Sequence, residues 1–300
     1  MTLFETDSEA APRGPLRRVM LLVAYDGTSL HGFAAQPGQA TVGGALAAKL
    51  SSMAGHEVTL TCAGRTDAGV HALGQVVHAD LDEQVLAKWA GRPLEPGMVL
   101  ERLGPSLSHQ LGGAIVVLEA RLAPEGFDAR HSATSRRYRY HILRTDWDDP
   151  LLRHSTWHVP GELDIAAMRI GADALLGEHN FAAFCRQPRG ECGPIVRRVL
   201  KTSWSLAVGD DRLWVFAIEA NAFCHQMVRS LVGTLVAVGQ GRIRAGDLLQ
   251  ILHGADRARA AQPAPACGLC LVKVSYPGDL VPGGTWEPGG GDWVVAPAAS

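Results

Sequence analysis

Two short alternating runs close on either side of a ten-residue loop, and this arrangement limits what the chain can fold into more than any other stretch does. Val58-Thr59-Leu60-Thr61-Cys62 and Gly74-Gln75-Val76-Val77-His78-Ala79-Asp80 are rich in β-branched residues and alternate with period two, so both read as strands. Between them, Ala63-Gly64-Arg65-Thr66-Asp67-Ala68-Gly69-Val70-His71-Ala72 turns the chain while held at both ends. Gly64 and Gly69 permit turns closed to residues with a Cβ and the close approach of another molecule. Arg65 and Asp67 carry the only formal charges in the loop, which puts one cation and one anion on a crowded platform. In isolation, such an Asp usually bonds its own backbone and such an Arg is a solvated partner of little energetic weight.

The remaining chain alternates strand-like and helix-like stretches. Arg17 to Tyr25 is a β-like apolar run ended by the turn signal Asp26-Gly27. Thr41 caps a helix whose apolar face is Val42, Leu46, Leu50 and Met53. Asp82 to Ala90 reads as a short helix, 97–111 is ambiguous, and Ala114 to Leu118 is a strand. Pro124-Glu125-Gly126 marks a crossing into a second domain. Beyond it, Arg137 to Ile142 alternates, with Tyr138 and Tyr140 on one side and Arg137 and Arg139 on the other. A helix over 163–176, a hairpin of Val199–Leu206 and Leu213–Ala220, a helix over 224–239, a short helix over 245–253 and a last strand over 269–275 complete the pattern. The boundaries expected are a flexible arm over 1–16, domains over 17–124 and 125–278, and a Pro- and Gly-rich tail over 279–300.

Three hundred residues with 47% hydrophobic content suffice for two domains with their own cores. No apolar run approaches the roughly 20 residues of a membrane-spanning helix. The N-terminal stretch is acidic where a secretory signal is basic and then apolar, so a cytoplasmic protein is expected. A net charge of −2 does not announce a nucleic-acid binder. Any RNA surface must therefore be local, and the densest basic segment is Arg130, Arg136, Arg137, Arg139 and Arg144. Six irregularly spaced cysteines read as reduced thiols. Cys267-Gly268-Leu269-Cys270 has no second close pair with which to hold zinc, so no metal is expected.

Three strings carry a resemblance. Gly64-Arg65-Thr66-Asp67-Ala68-Gly69-Val70-His71 followed by Gly74-Gln75-Val76-Val77-His78 resembles the nucleophile loop of the tRNA pseudouridine synthase A family. Phe127-Asp128-Ala129-Arg130-His131-Ser132-Ala133-Thr134-Ser135-Arg136-Arg137-Tyr138-Arg139-Tyr140 is similar to the family's second motif, and Asn221-Ala222-Phe223-Cys224-His225-Gln226-Met227-Val228-Arg229 to its third. Tyr25-Asp26-Gly27 with His31-Gly32-Phe33 resembles the first-strand segment, although Phe33 stands where the family usually has Trp. Gly43 and Gly44 also depart from the family, and the resemblance is weakest over 95–112.

The resemblance implies an α/β (α+β) pseudouridine synthase fold of two similar domains, each a mixed, mostly antiparallel sheet with helices on one face, their sheets abutting. It implies isomerisation of uridine to pseudouridine in the anticodon stem-loop of tRNA, by a homodimer without cofactor or metal. Asp67 is then the nucleophile, Arg229 the partner of its carboxylate, Arg65 a base-flipping candidate and Tyr138 the residue that stacks on the target base. Arg130, Arg136, Arg137 and Arg139 are the RNA-binding candidates, and His71 supports the loop. The alternatives are a noncatalytic RNA-binding protein on the same scaffold and a synthase acting on another RNA.

Overall fold

The period-two runs pair into one sheet. The computed structural model describes residues 14–187, 193–278 and 280. Its first half runs β1 (Leu16–Tyr25), α1 (Val42–Ala54), β2 (Thr61–Cys62), β3 (His71–Asp82), α2 (Glu83–Ala90), α3 (Leu103–Gln110) and β4 (Ile115–Leu122). The second half runs β5 (Ser135–Leu143), β6 (Trp157–His158), α4 (Ile165–Asp173), β7 (Gly177–Asn180), β8 (Val196–Ala207), β9 (Asp210–Ala220), α5 (Met227–Gly239), α6 (Asp247–Gly254) and β10 (Leu269–Ser275).

Strand order is β4-β1-β3-β10-β5-β9-β8-β7, with β2 on β3 and β6 on β5. Each half is antiparallel along its main path, as alternating strands joined by tight turns favour. The halves do more than abut. β10 lies between them, antiparallel to β5 and parallel to β3, and bonds both into a continuous sheet. Gly74 stands at this joint, where a Cβ would lie 2.4 Å from the Val272 carbonyl oxygen. Only a glycine lets the two backbones meet so closely.

Local chemistry sets the helix ends. Thr41 Oγ1 accepts from the Gly44 N–H at the start of α1, and Gly55 closes it in the left-handed region at φ 73°. Asp82 caps α2 and Asp164 caps α4 in the same way. The ambiguous 97–111 stretch contains α3, and β4 runs on to Leu122. The helix expected over 163–176 is confined to Ile165–Asp173, and the residues after it form β7 and a 3₁₀ turn over Ala182–Phe184. α5 starts three residues later than periodicity suggests, because Gln226 adopts φ 63°, outside the helical region.

The arm expected over 1–16 is tied down at its end: the Gly14 N–H donates to Asp82 Oδ2 at 2.7 Å, and β1 begins at Leu16. Residues 1–13, and the tail apart from Leu280, lie outside the described residues. The expectation of reduced thiols is corrected at one pair. Cys185 and Cys224 form a disulfide with Cα atoms 5.7 Å apart, brought together by the fold across 39 residues of sequence. Cys62, Cys267 and Cys270 are free, and Cys192 lies outside the described residues.

All four tyrosines of the chain, Tyr25, Tyr138, Tyr140 and Tyr276, are buried. Burial raises each phenol well above its ordinary pKa near 10. The folded value thus exceeds the unfolded one, so the tyrosines' stabilising contribution is complete below about pH 10 and is lost as pH rises further. Ultraviolet titration should show no tyrosinate until the protein unfolds cooperatively in alkali. A tyrosinate signal rising near pH 10 with unchanged near-ultraviolet dichroism would refute this burial.

Candidate active site

The loop between β2 and β3 is held by hydrogen bonds along its length. The Ala63 N–H donates to the Val76 carbonyl at 2.8 Å, and the Gly64 carbonyl accepts from Gln75 Nε2 at 2.7 Å. The Thr66 carbonyl accepts from the Phe33 N–H at 3.0 Å, while Thr66 Oγ1 and the Tyr25 hydroxyl share a hydrogen bond of 2.8 Å. The Gly69 N–H reaches the Leu30 carbonyl at 3.2 Å. Gly32, at φ 87°, brings the 27–33 segment against this loop; a Cβ there would lie 2.7 Å from the Thr66 oxygen. Gly69 is left-handed at φ 75°, as a tight turn requires. Gly64 has no such φ, and its open side leads to the Tyr138 hydroxyl, 3.9 Å from where a Cβ would stand. His71 is buried, with the Gly27 N–H at its Nδ1 and the His154 carbonyl at its Nε2.

Asp67 is left with its side chain about a quarter exposed. Arg229, in the first turn of α5, places Nη1 3.5 Å from Asp67 Oδ2. That guanidinium is aimed by Ala264, whose carbonyl accepts from Arg229 Nε at 2.7 Å while its N–H donates to the Arg229 carbonyl at 2.9 Å. Tyr138, on β5, is 7% exposed and packs edge to face on Phe223 at 5.1 Å. Burial first, and then the nearby Asp67 charge, raises the pKa of its phenol, so the ring stays neutral. Three distant segments, 63–70, 135–143 and 221–229, thus meet at one carboxylate.

The candidate arginines do not form one surface. Arg136 is buried, and its five N–H donors go to the carbonyls of Ala63, Arg130, Ala133 and Asn221 at 2.7–3.2 Å. Burial lowers its pKa, and no donor remains for a phosphate. Because β5 is regular, Arg137 and Arg139 lie on the opposite face of the sheet from Tyr138 and Arg136. Arg137 there pairs with Glu219 at 2.7 Å. These placements spend Arg136 on carbonyls and Arg137 on Glu219, and set Arg137 and Arg139 on the face of β5 away from Tyr138. Arg65 and Arg130 are exposed on the cleft side, where both positive charges act on the Cys62 thiol; burial nonetheless pushes its pKa up to about 11.

One neighbour of Asp67 was not singled out by sequence reasoning. His225 Nε2 stands 3.4 Å from Asp67 Oδ1. It lies inside the third motif, four residues before Arg229, but the left-handed Gln226 between them hides their common target from any helical pattern. Among the described residues no group of three or more His, Cys, Asp or Glu side chains is gathered as a metal site requires. Cys270 is fully buried, and Cys267 Sγ turns toward the Thr156 carbonyl.

A family model described as tRNA pseudouridine synthase matches residues 172–277. The tRNA pseudouridine synthase A of Leifsonia xyli is 42% identical over 270 residues, covering 87% of this chain and 92% of the relative. That of Frankia casuarinae is 44% identical over 266 residues, covering 88% and 91%, and that of Xanthobacter autotrophicus 41% over 261 residues, covering 86% and 99%. The chain belongs to the tRNA pseudouridine synthase A family. Its mixed α/β architecture, with a large, mostly antiparallel sheet and helices, is the fold expected of that family.

Within this family member, Arg136 has the geometry of an internal tie. Arg136→Met leaves four carbonyls without this donor; because only the Ala63 contacts are fully buried, urea unfolding should reveal a loss on the order of 3–5 kcal/mol rather than the larger sum of four fully buried groups. Arg137→Ala should cost only about 1 kcal/mol, because its ion pair is partly exposed. Equal unfolding midpoints for Arg136→Met and the parent would exclude the tie.

Proposed function

We propose that this chain isomerises uridine to pseudouridine in tRNA, with Asp67 as the nucleophile. One observation carries the assignment: a carboxylate on a rigid glycine-containing loop is met in one cleft by Arg229 at 3.5 Å and by the neutral ring of Tyr138. In the net reaction the N1–C1′ bond breaks, a C5–C1′ bond forms, C5 loses a proton and N1 gains one. The atoms balance without a redox step. A carboxylate with a reference pKa near 4 is ionised at neutral pH and gives an ester-like adduct that can be displaced again. A neighbouring guanidinium fixes the oxygen it touches.

Tyr138, backed by Phe223, offers its ring to the extruded uracil, a contact worth about 1–3 kcal/mol. The open side of Gly64 leaves room for the base in front of the Tyr138 hydroxyl. We assign Arg65, exposed at the lip of the loop, to filling the space the flipped base vacates. Arg65 and Arg130 supply cleft-side positive charge for the phosphates. The uridines we assign are those of the anticodon stem-loop, the enzyme works as two chains in the cytoplasm, and the reaction requires no metal or cofactor. Among the described residues no helix is long and apolar enough to cross a membrane. Exposed Leu151 and Val208 beside a hollow of about 610 Å³ give a second chain an apolar surface to cover. Sedimentation at micromolar concentration counts the chains.

Asp67→Asn keeps the shape of the side chain and removes the nucleophile, so pseudouridine formation in tRNA should fall at least about a thousand-fold while tRNA affinity is retained. Near-normal turnover by Asp67→Asn would end the assignment. Affinity should also weaken steeply with salt, and Arg65→Ala or Arg130→Ala should each flatten the log–log slope by up to about one unit. Arg137→Ala, on the other face, should leave the slope as it is. Binding titrations at several salt concentrations measure these slopes, and a flatter slope for Arg137→Ala alone would move the RNA to the far face of the sheet.

A further inference from the structure

Asp67 has a neighbour on each oxygen. Arg229 reaches Oδ2 through one nitrogen, and a single contact leaves the carboxylate free to turn about its last torsion, which has no sharp intrinsic minimum. His225 Nε2 lies 3.4 Å from the other oxygen, Oδ1. We propose that His225 is a positioning residue that holds Oδ1 and thereby sets the plane of the attacking carboxylate. This rests on the reading of Asp67 as the nucleophile.

The imidazole is itself placed by backbone ties on both sides. The His225 carbonyl accepts from the Arg186 N–H at 3.0 Å, and the Cys224 carbonyl accepts from the Met227 N–H at 3.1 Å. Cys224 is joined to Cys185 by the disulfide, and Gln226 takes the left-handed turn that brings residue 225 back over the N-terminus of α5. Arg257 Nη2 reaches Gln226 Oε1 at 3.3 Å, further defining that turn. A non-glycine residue at φ 63° is disfavoured, so surrounding contacts must hold it there. With its side chain half exposed, His225 borders the cleft rather than the core, where a filling role would place it. Both the imidazolium and the Nε2–H tautomer carry a donor at Nε2, the ring atom nearest Oδ1, which a small turn of the ring would aim at that oxygen. At 3.4 and 3.5 Å both contacts are longer than a normal charge-assisted hydrogen bond, as catalytic contacts often are before substrate binds.

The test compares the parent with His225→Phe, His225→Gln, His225→Ala and Asp67→Asn. Single-turnover pseudouridine formation is measured at saturating enzyme, and tRNA affinity is measured separately. His225→Phe keeps a ring and loses the donor, so its single-turnover rate should fall about 10- to 100-fold, the effect of losing alignment by an ångström or so. Its tRNA affinity should stay within about twofold, because no phosphate contact is removed. His225→Gln, whose amide N–H can reach the place of Nε2–H, should recover most of the rate. His225→Ala repeats the loss without adding bulk, which covers the case of a poorly folded Phe variant. A parental rate in both His225→Phe and His225→Ala beside an inactive Asp67→Asn overturns this inference alone. So does a His225→Gln as slow as His225→Phe, or a loss that appears in affinity rather than rate. An active Asp67→Asn overturns the nucleophile reading and this inference with it.

Discussion

The site depends on one buried guanidinium. Arg136 has no carboxylate among its hydrogen-bond partners, and a buried cation so placed must be solvated by the protein's own dipoles. Four carbonyls do this, drawn from the root of the Asp67 loop, the 130–133 turn and the residue that follows β9. These are the segments that carry Asp67, lead into Tyr138 and lead toward Arg229. A rigid fork of five donors can join them at fixed angles; an ammonium on a flexible stem would not. The cost of burying the charge is thus converted into a specified arrangement of three motifs otherwise far apart in sequence.

The continuous sheet supplies the second constraint. If the halves merely touched, the carboxylate of one and the ring and guanidinium of the other would move with the contact between them. β10 removes that freedom by bonding to β3 on one side and β5 on the other. The approach to β10 also passes the site: Ala264 aims Arg229, Ala266 packs 3.2 Å from where a Cβ of Gly69 would stand, and the Pro265 carbonyl accepts from the Tyr140 hydroxyl. Gly233 lets this segment cross α5 closely, since a Cβ there would fall 2.0 Å from the Gln262 oxygen.

Charge follows the same division between faces. A chain with net charge −2 can hold a polyanion only where its cations are local and unspent. Arg136 is spent on carbonyls and Arg137 on Glu219, whose carboxyl stays below its usual range because Ser135 and Arg137 outweigh the upward pull of burial. Arg65 and Arg130 remain exposed.

What the sequence determined by itself was local. The period-two runs at 74–80 and 137–142 became strands, while of 58–62 only Thr61 and Cys62 pair; Thr41 caps a helix, and three strings named Asp67, Tyr138 and Arg229 through their resemblance to a family. These follow from contacts within a few residues, or from motifs whose spacing is kept. Tertiary structure decided the rest. Which of Arg136, Arg137 and Arg139 faces solvent depends on what packs on each side of β5, which alternation alone cannot tell. Similarly, the disulfide of Cys185 with Cys224 and the approach of His225 to Asp67 join residues 39 and 158 positions apart. Neither has a local signature: the disulfide is closed by folding within the second half, and His225 reaches Asp67 only because the two halves meet through β10.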